Sequence, residues 1–188
     1  MATKKVILFV EGESNSPNGD LRQGLAKLLE KKLGGKLPSI KLGDGKSQTI
    51  KKFLKNRLPC DLSLLLVDLD KPADEIEQDL KEYGLLLRRD DVFYMIQEME
   101  SWFLSQPEIL DRFYGQDNNG KKVSDKLTQK NPIEYPHPDE EIQRLTKHTK
   151  KGGYHKIKHG VELLKLLDAA KLEDDFNDFK RLITRINE

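Results

Sequence analysis

The most constraining stretch of the chain is Leu62-Ser63-Leu64-Leu65-Leu66-Val67, which runs directly into Asp68-Leu69-Asp70. A strand this uniformly apolar has to be covered on both faces, as the inner strands of parallel sheets are. Lys5-Val6-Ile7-Leu8-Phe9-Val10 has the same character and also ends in an acid, Glu11-Gly12. Leu21, Leu25, Leu28, Leu29 and Leu33 follow at helical spacing until Gly34-Gly35. A short second strand is expected over 39–42, a helix over 48–56, a helix over 73–83, a strand over 91–97 and a helix from Glu98 through Leu104. Strands alternating with helices define an α/β domain whose mainly parallel sheet is flanked by helices. Beyond 112 the chain reads as a loop-rich and helical extension: Gly115 and Gly120 bound a loop, three prolines interrupt 131–138, and helical periodicity returns from about Asp139 with a break at Gly152-Gly153. The expected division is an α/β core over 1–112 with 113–188 packed on it.

In parallel sheets ligands gather beyond the carboxyl ends of the strands. Glu11, Asp68, Asp70 and one or both of Glu98 and Glu100 fall at or just past such ends, so they converge on one rim. Asp68 and Asp70 are two apart, which on an extended strand puts both carboxylates on one face. Like charges held side by side require a cation or a proton, and Mg²⁺ or Mn²⁺ takes oxygen ligands of this kind. Glu11 can serve as ligand or as general acid/base, with Gly12 allowing close approach of the backbone to a ligand. Glu98 and Glu100 share a face only if the strand continues that far; once the helix begins they diverge, and Glu100 is then the favoured ligand. Each of these residues has a plainer reading as a solvated strand end. Trp102 reads as a core anchor rather than a base-stacking platform.

Charge is segregated along the chain although the formal net charge is only +1. Residues 22–57 carry eleven Lys or Arg against Glu30 and Asp44, a balance of +9, and residues 61–112 carry a balance of −9. From 144 to 165 the sign is positive again, with seven Lys or Arg facing only Glu162. An acidic centre between basic segments suits a metal-dependent enzyme acting on a polyanion, and it equally suits salt-bridged solvent faces. Lys46, His155, Lys156 and Lys158 are the candidate contacts to nucleic-acid phosphates. His155 and His159, four apart and lacking a nearby carboxylate other than Glu162, make a poor zinc site. Gly43-Asp44-Gly45-Lys46-Ser47 ends like a phosphate-binding loop, but Ile40 stands where its first glycine belongs, so nucleotide hydrolysis is rejected. The single cysteine, Cys60, excludes an internal disulfide, and no apolar run approaches the roughly 20 residues of a membrane span. Residues 6–10 are too short for the apolar part of a secretory signal, and the expected setting is cytoplasmic.

Phe9-Val10-Glu11-Gly12-Glu13-Ser14-Asn15, Val67-Asp68-Leu69-Asp70 and Ile96-Gln97-Glu98-Met99-Glu100-Ser101-Trp102-Phe103-Leu104 together resemble the Toprim fold of topoisomerases, primases and overcoming-lysogenization-defect nucleases. More narrowly, the chain is similar to a small prokaryotic Toprim-like family of unknown function, the DUF4276 type, often linked to ATPase partners and defence loci. The Toprim likeness covers about 5–104, with a softer likeness around Tyr154-His155-Lys156-Ile157-Lys158-His159-Gly160. It implies a Rossmann-like Toprim core in which Glu11 is acid/base or ligand, Asp68 and Asp70 bind Mg²⁺, and Glu100 completes the shell. It further implies a nuclease acting on nucleic acid, with an ATPase partner, or else a non-catalytic binding module of a defence or repair system; a homo-oligomer is compatible with both. Asn15 stands where relatives carry an acid, which removes a ligand unless Glu13 replaces it.

Overall fold

The structure is a computed structural model that describes residues 5–13, 21–56 and 61–188; Asn15 and Cys60 lie outside the described residues. Four strands, β1 (Lys5–Val10), β2 (Ser39–Leu42), β3 (Asp61–Asp68) and β4 (Val92–Met95), form one sheet in the order β2-β1-β3-β4. Every neighbouring pair is parallel, with Leu8 opposite Leu64 and Val10 opposite Leu66. The apolar runs of β1 and β3 are thus explained by their central position, covered on both sides. Leu8, Val10, Leu64, Leu66, Phe93 and Met95 enter one core, whereas Ile7, Phe9, Leu65, Val67, Val92 and Tyr94 enter the other. This is the period of two expected of strands.

From β1 the chain passes through α1 (Leu21–Leu33) to β2 on one side, and then through α2 (Lys46–Lys55) to β3 on the other. α1 lies on the face of the larger core and α2 on the opposite face, which gives a Rossmann-like α/β arrangement. Strand order reverses between β1 and β3, and a crevice opens beyond their carboxyl ends at such a point. A short 3₁₀ turn, Ala73–Glu75, leads into α3 (Ile76–Glu82), whose Leu80 joins the smaller core.

β4 stops at Met95 rather than continuing to residue 97, because Gln97 adopts a left-handed φ of 59° that no strand can contain. α4 (Glu100–Leu104) follows, and α5 (Pro107–Tyr114) and α6 (Val123–Lys126) are helices that the periodicity did not indicate. α7 (Pro138–Thr146), α8 (Lys156–Leu166), α9 (Ala169–Asp175) and α10 (Asn177–Asn187) complete the chain. Residues of α7 to α10 bury their apolar stripes in the same core as β1, β3 and α1, so 113–188 shares the interior of 1–112. Trp102 is buried against Phe176 and Phe179. At the outer edge of β4 the Tyr94 N–H donates to the Asp178 carboxylate at 2.8 Å, which blunts an otherwise open edge. Among the described residues no helix is long and apolar enough to cross a membrane.

α8 lies so close to α1 at Gly24 that a Cβ there would stand 2.9 Å from the Val161 carbonyl oxygen and 3.0 Å from Leu164 Cβ. Gly24→Leu therefore destabilises by overpacking although leucine favours helix. The expected cost is about 2 kcal/mol, a drop of about 4–8 °C in Tm by calorimetry, and an unchanged Tm would contradict this packing.

Candidate functional site

The crevice is built from strand ends tied to one another by backbone-to-carboxylate hydrogen bonds. The Glu11 N–H still donates to Leu66 O at 3.1 Å, so Glu11 leaves β1 in sheet register. Its Oε2 accepts the Asp68 N–H at 3.3 Å, and Asp68 Oδ1 in turn accepts the Met99 N–H at 2.9 Å. Three chain segments are joined in this way, and Glu11 and Asp68 are immediate neighbours. Gly12 takes a φ of 152°, and a Cβ there would meet Leu21 Cδ2 at 2.9 Å, so glycine is needed for the chain to turn beside the site.

Asp70 departs from the extended geometry expected of an Asp-x-Asp pair. β3 ends at Asp68, and Asp70 adopts a left-handed φ of 59°, its N–H donating to Gln97 O at 2.7 Å. Two non-glycine residues in the left-handed region, Asp70 and Gln97, are thereby joined across adjacent strand ends. Such conformations each cost of order 1 kcal/mol or more and persist where the surroundings enforce them. The Asp70 carboxylate is brought within 3.8 Å of Lys46 Nζ. Asp70 also acts on Glu11, whose pKa is raised by burial and then by the Asp70 charge.

Glu98 and Glu100 do not diverge in effect: both reach a single ammonium. Lys156 Nζ lies 3.4 Å from Glu98 Oε2, 3.6 Å from Glu100 Oε2 and 4.0 Å from Asp68 Oδ2. Glu100 is 0% exposed; its Oε1 accepts the Tyr154 hydroxyl at 2.7 Å, while Oε2 is buried without a hydrogen bond. Burial, and next the charge of Glu100, pushes the Asp68 carboxyl well above the usual range. Burial also raises Glu98, against the lowering effect of Lys156. For Lys156 burial works to lower the pKa, but Glu100, Asp68 and Glu98 outweigh it and hold the ammonium charged.

The expected phosphate contacts are placed differently from one another. Lys46 is committed beneath the rim: Nζ donates to Leu69 O and to Asp79 Oδ1, both at 3.1 Å, and Asp79 Oδ2 accepts the Tyr94 hydroxyl at 2.9 Å. With its side chain 11% exposed, Lys46 supports the rim instead of facing solvent as a phosphate contact. His155 Nδ1 accepts the Lys158 N–H at 3.3 Å, which makes it the N-cap of α8. His159 is buried with Nδ1 3.0 Å from the Tyr114 hydroxyl, and burial lowers its pKa. Lys158 is exposed, and Lys156 occupies the carboxylate cluster. Tyr154, Asp79, Tyr94 and Gln97 all shape the site without having been singled out in the sequence. Tyr154 stood in a marked motif, whereas Asp79 is one acid among several on its helix and carries no local signal.

A cleft of about 500 Å³ opens here, lined among others by Glu11, Glu13, Asp44, Asp68, Met99 and Lys156. Glu13 reaches this lining; the environment of Asn15 lies outside the described residues. Among the described residues no three His, Cys, Asp or Glu side chains are spaced as a finished metal shell, and Lys156 stands between the carboxylates instead. The chemistry of the donors nevertheless fits a hard divalent cation. They are all carboxylate oxygens, and Glu100 Oε2 is a buried acceptor without a hydrogen bond.

The chain matches the model of a domain of unknown function, DUF4276, over residues 10–187. The chain belongs to the DUF4276 family. The match takes in Glu11, Asp68, Asp70, Glu98, Glu100, Tyr154 and Lys156, so every element of the cleft belongs to the DUF4276 domain. No curated protein and no solved structure matches the chain.

In the metal-free DUF4276 chain the raised Asp68 pKa has a stability consequence. A carboxyl whose folded value lies above its unfolded value, about 3.9, contributes stability that is fully present below that pH and is lost as pH rises through the folded value. Asp68→Asn keeps an oxygen for the Met99 N–H and removes the charge. In EDTA at neutral pH it is expected to raise Tm by about 2–4 °C, or about 1 kcal/mol, and to flatten the pH dependence of Tm. A lower Tm for the variant would show that the Lys156 contact outweighs the burial of the charge.

Proposed function

We propose that the chain is a Mg²⁺-dependent, Toprim-like phosphodiester-cleaving enzyme, a nuclease in which Mn²⁺ can replace Mg²⁺. The observation that carries this reading is that Glu11 and Asp68 line one cleft as hydrogen-bonded neighbours, while Glu98 and Glu100 meet Asp68 around Lys156 on its wall and Glu100 Oε2 is buried without a hydrogen bond. Asp68 and Glu100, with Glu11 or Asp70, would hold the cation, which when bound polarises a phosphoryl oxygen and lowers the pKa of water. The protein side chains do the remaining work. Glu11 is poised as general acid/base because burial and Asp70 hold its carboxyl above the usual range, while the Asp68 N–H fixes its orientation. Lys156, on the cleft wall with half of its side chain exposed, can turn from the carboxylates toward a non-bridging phosphate oxygen. Tyr154 pins Glu100, and Lys46 holds the Asp70 turn. The ATPase partner and defence setting that accompany the Toprim resemblance belong to the same proposal.

A second reading, a non-catalytic nucleic-acid- or partner-binding module, is favoured by one observation: the Lys156 ammonium stands among Asp68, Glu98 and Glu100, where a bound cation would have to sit. The two readings separate in a Mn²⁺-supported cleavage assay on DNA and RNA, run beside bis(4-nitrophenyl) phosphate as a minimal diester. Cleavage is expected with the unaltered chain, and Glu11→Gln and Asp68→Ala are each expected to lower kcat by about 100-fold or more. Circular dichroism verifies that the variants are folded. Absent cleavage, or cleavage indifferent to both substitutions, would overturn the enzymatic reading in favour of the second.

A further inference from the structure

We propose that a nucleic-acid backbone binds in a basic groove along the β2 edge of the sheet, between β2 and α2, and passes from there into the cleft; that last step rests on the phosphodiesterase reading. The groove follows from the pleat of an edge strand. Ile40 and Leu42 turn toward the α1 core, which sends Ser39 and Lys41 to the opposite face. On that face α2 packs over the neighbouring strands β1 and β3, and a trough remains beside β2. The trough, about 540 Å³, is floored by Phe9 and walled by Arg22, Lys41, Lys52 and Lys55. Lys41 stands opposite Phe9 in the β1–β2 register, with Nζ 5.7 Å from the ring centroid.

No carboxylate lines this groove among the described residues. Elsewhere the surface pairs its charges at close range, as in Lys27–Glu30, Arg144–Glu141 and Lys165–Glu162. Among the described residues neither Lys41 nor Lys55 has a carboxylate within 4.0 Å. Setting Lys41 and Lys55 beside two further cations costs self-repulsion, and a polyanion relieves it with release of its counterions. Among the described residues an acid paired with one of these lysines marks the groove's exit. Lys52 Nζ lies 3.1 Å from Asp44 Oδ2, and Asp44 and Gly45 line the cleft that holds Glu11 and Asp68. Groove and cleft therefore meet at the corner between β2 and α2. The cations are also set in a row: Lys52 and Lys55 are three apart on one helix face and Lys41 is on the strand beside them. A row suits successive phosphates of one chain better than a single small anion. Since Lys46 is bound to Asp79 and His155 caps α8, the electrostatic footprint for a polyanion shifts from those residues to this edge.

The test is fluorescence anisotropy in EDTA with labelled single-stranded DNA, duplex DNA and single-stranded RNA of equal length, titrated from about 50 to about 200 mM KCl. The comparison is with the triple variant Lys41→Gln, Lys52→Gln, Lys55→Gln, whose exposed substitutions leave Tm nearly unchanged. The triple variant is expected to bind about 10- to 100-fold more weakly at the lowest salt, with the slope of log K against log salt reduced by about 2–3. The three probes show which backbone is held. Hydrolysis of bis(4-nitrophenyl) phosphate is expected to be equal in both chains. Equal binding and slope in the triple variant would overturn the groove, as would a chain that binds none of the three polymers. Loss of polymer binding in the triple variant, with no diester cleaved by either chain, would keep the groove and remove the nuclease. Diester cleavage with groove-independent polymer binding would do the reverse.

Discussion

The site depends on repulsion among carboxylates held at one edge of the sheet and on the Lys156 ammonium that three of them share. At about 4 Å two unit charges interact by about 4 kcal/mol at an effective dielectric constant near 20, comparable with a large part of a domain's net stability. Glu98, Glu100 and Asp68 are each within 4.0 Å of Lys156 Nζ, so Lys156 relieves a repulsion that would otherwise need a proton or another cation. Lys156 is the first residue of α8, and α8 is seated on α1 through the contact at Gly24. The helical extension thus supplies a counter-charge to an acidic rim whose carboxylates come from the end of β3 and from the start of α4 and the turn before it. Tyr154, two residues earlier, holds Glu100 from the same turn.

Beneath the rim a second buried pair sets backbone rather than charge. Asp79 is 1% exposed, and its two oxygens are taken by Lys46 and the Tyr94 hydroxyl. Lys46 also binds the Leu69 carbonyl, the peptide immediately before Asp70 turns left-handed. The strained pair of Asp70 and Gln97 is therefore braced from below by a charged group and laterally by the Asp70 N–H to Gln97 O bond. Buried ion pairs of this sort are weak contributors to net stability, and removing one partner alone is costly. Their value here is geometric: they hold a carboxylate in an orientation that the strand on its own would not produce.

The parallel sheet was legible because β1 and β3 are apolar on both faces, and the convergence of Glu11 with Asp68 followed from the placement of acids at strand ends. The strand order was not legible, since pairing of β1 with both β2 and β3 depends on which face α1 and α2 cover. The extent of β4 and the position of Asp70 were misread for one reason. Left-handed conformations at Gln97 and Asp70 carry no compositional mark when the residue is not glycine. Lys46 lay in a basic stretch and looked like a phosphate ligand, yet its partner Asp79 is on another helix and buried by tertiary packing. α5 escaped notice because its buried residues, Ile109, Leu110 and Tyr114, are spread over barely two turns.

The near-neutral net charge conceals charges segregated along the chain. The basic segment 22–57 contributes to two places at once: Lys46 crosses beneath the sheet edge to the acidic rim, while Lys41, Lys52 and Lys55 stay on the β2 side. The division follows from helix geometry, since Lys46 sits at the start of α2, beside the strand ends, and Lys52 and Lys55 come later, toward the opposite end of the strands. A parallel α/β unit always runs its connecting helix back from the strand carboxyl ends. One basic helix can therefore anchor the acidic site with its first residue and present cations along the sheet edge with its later ones.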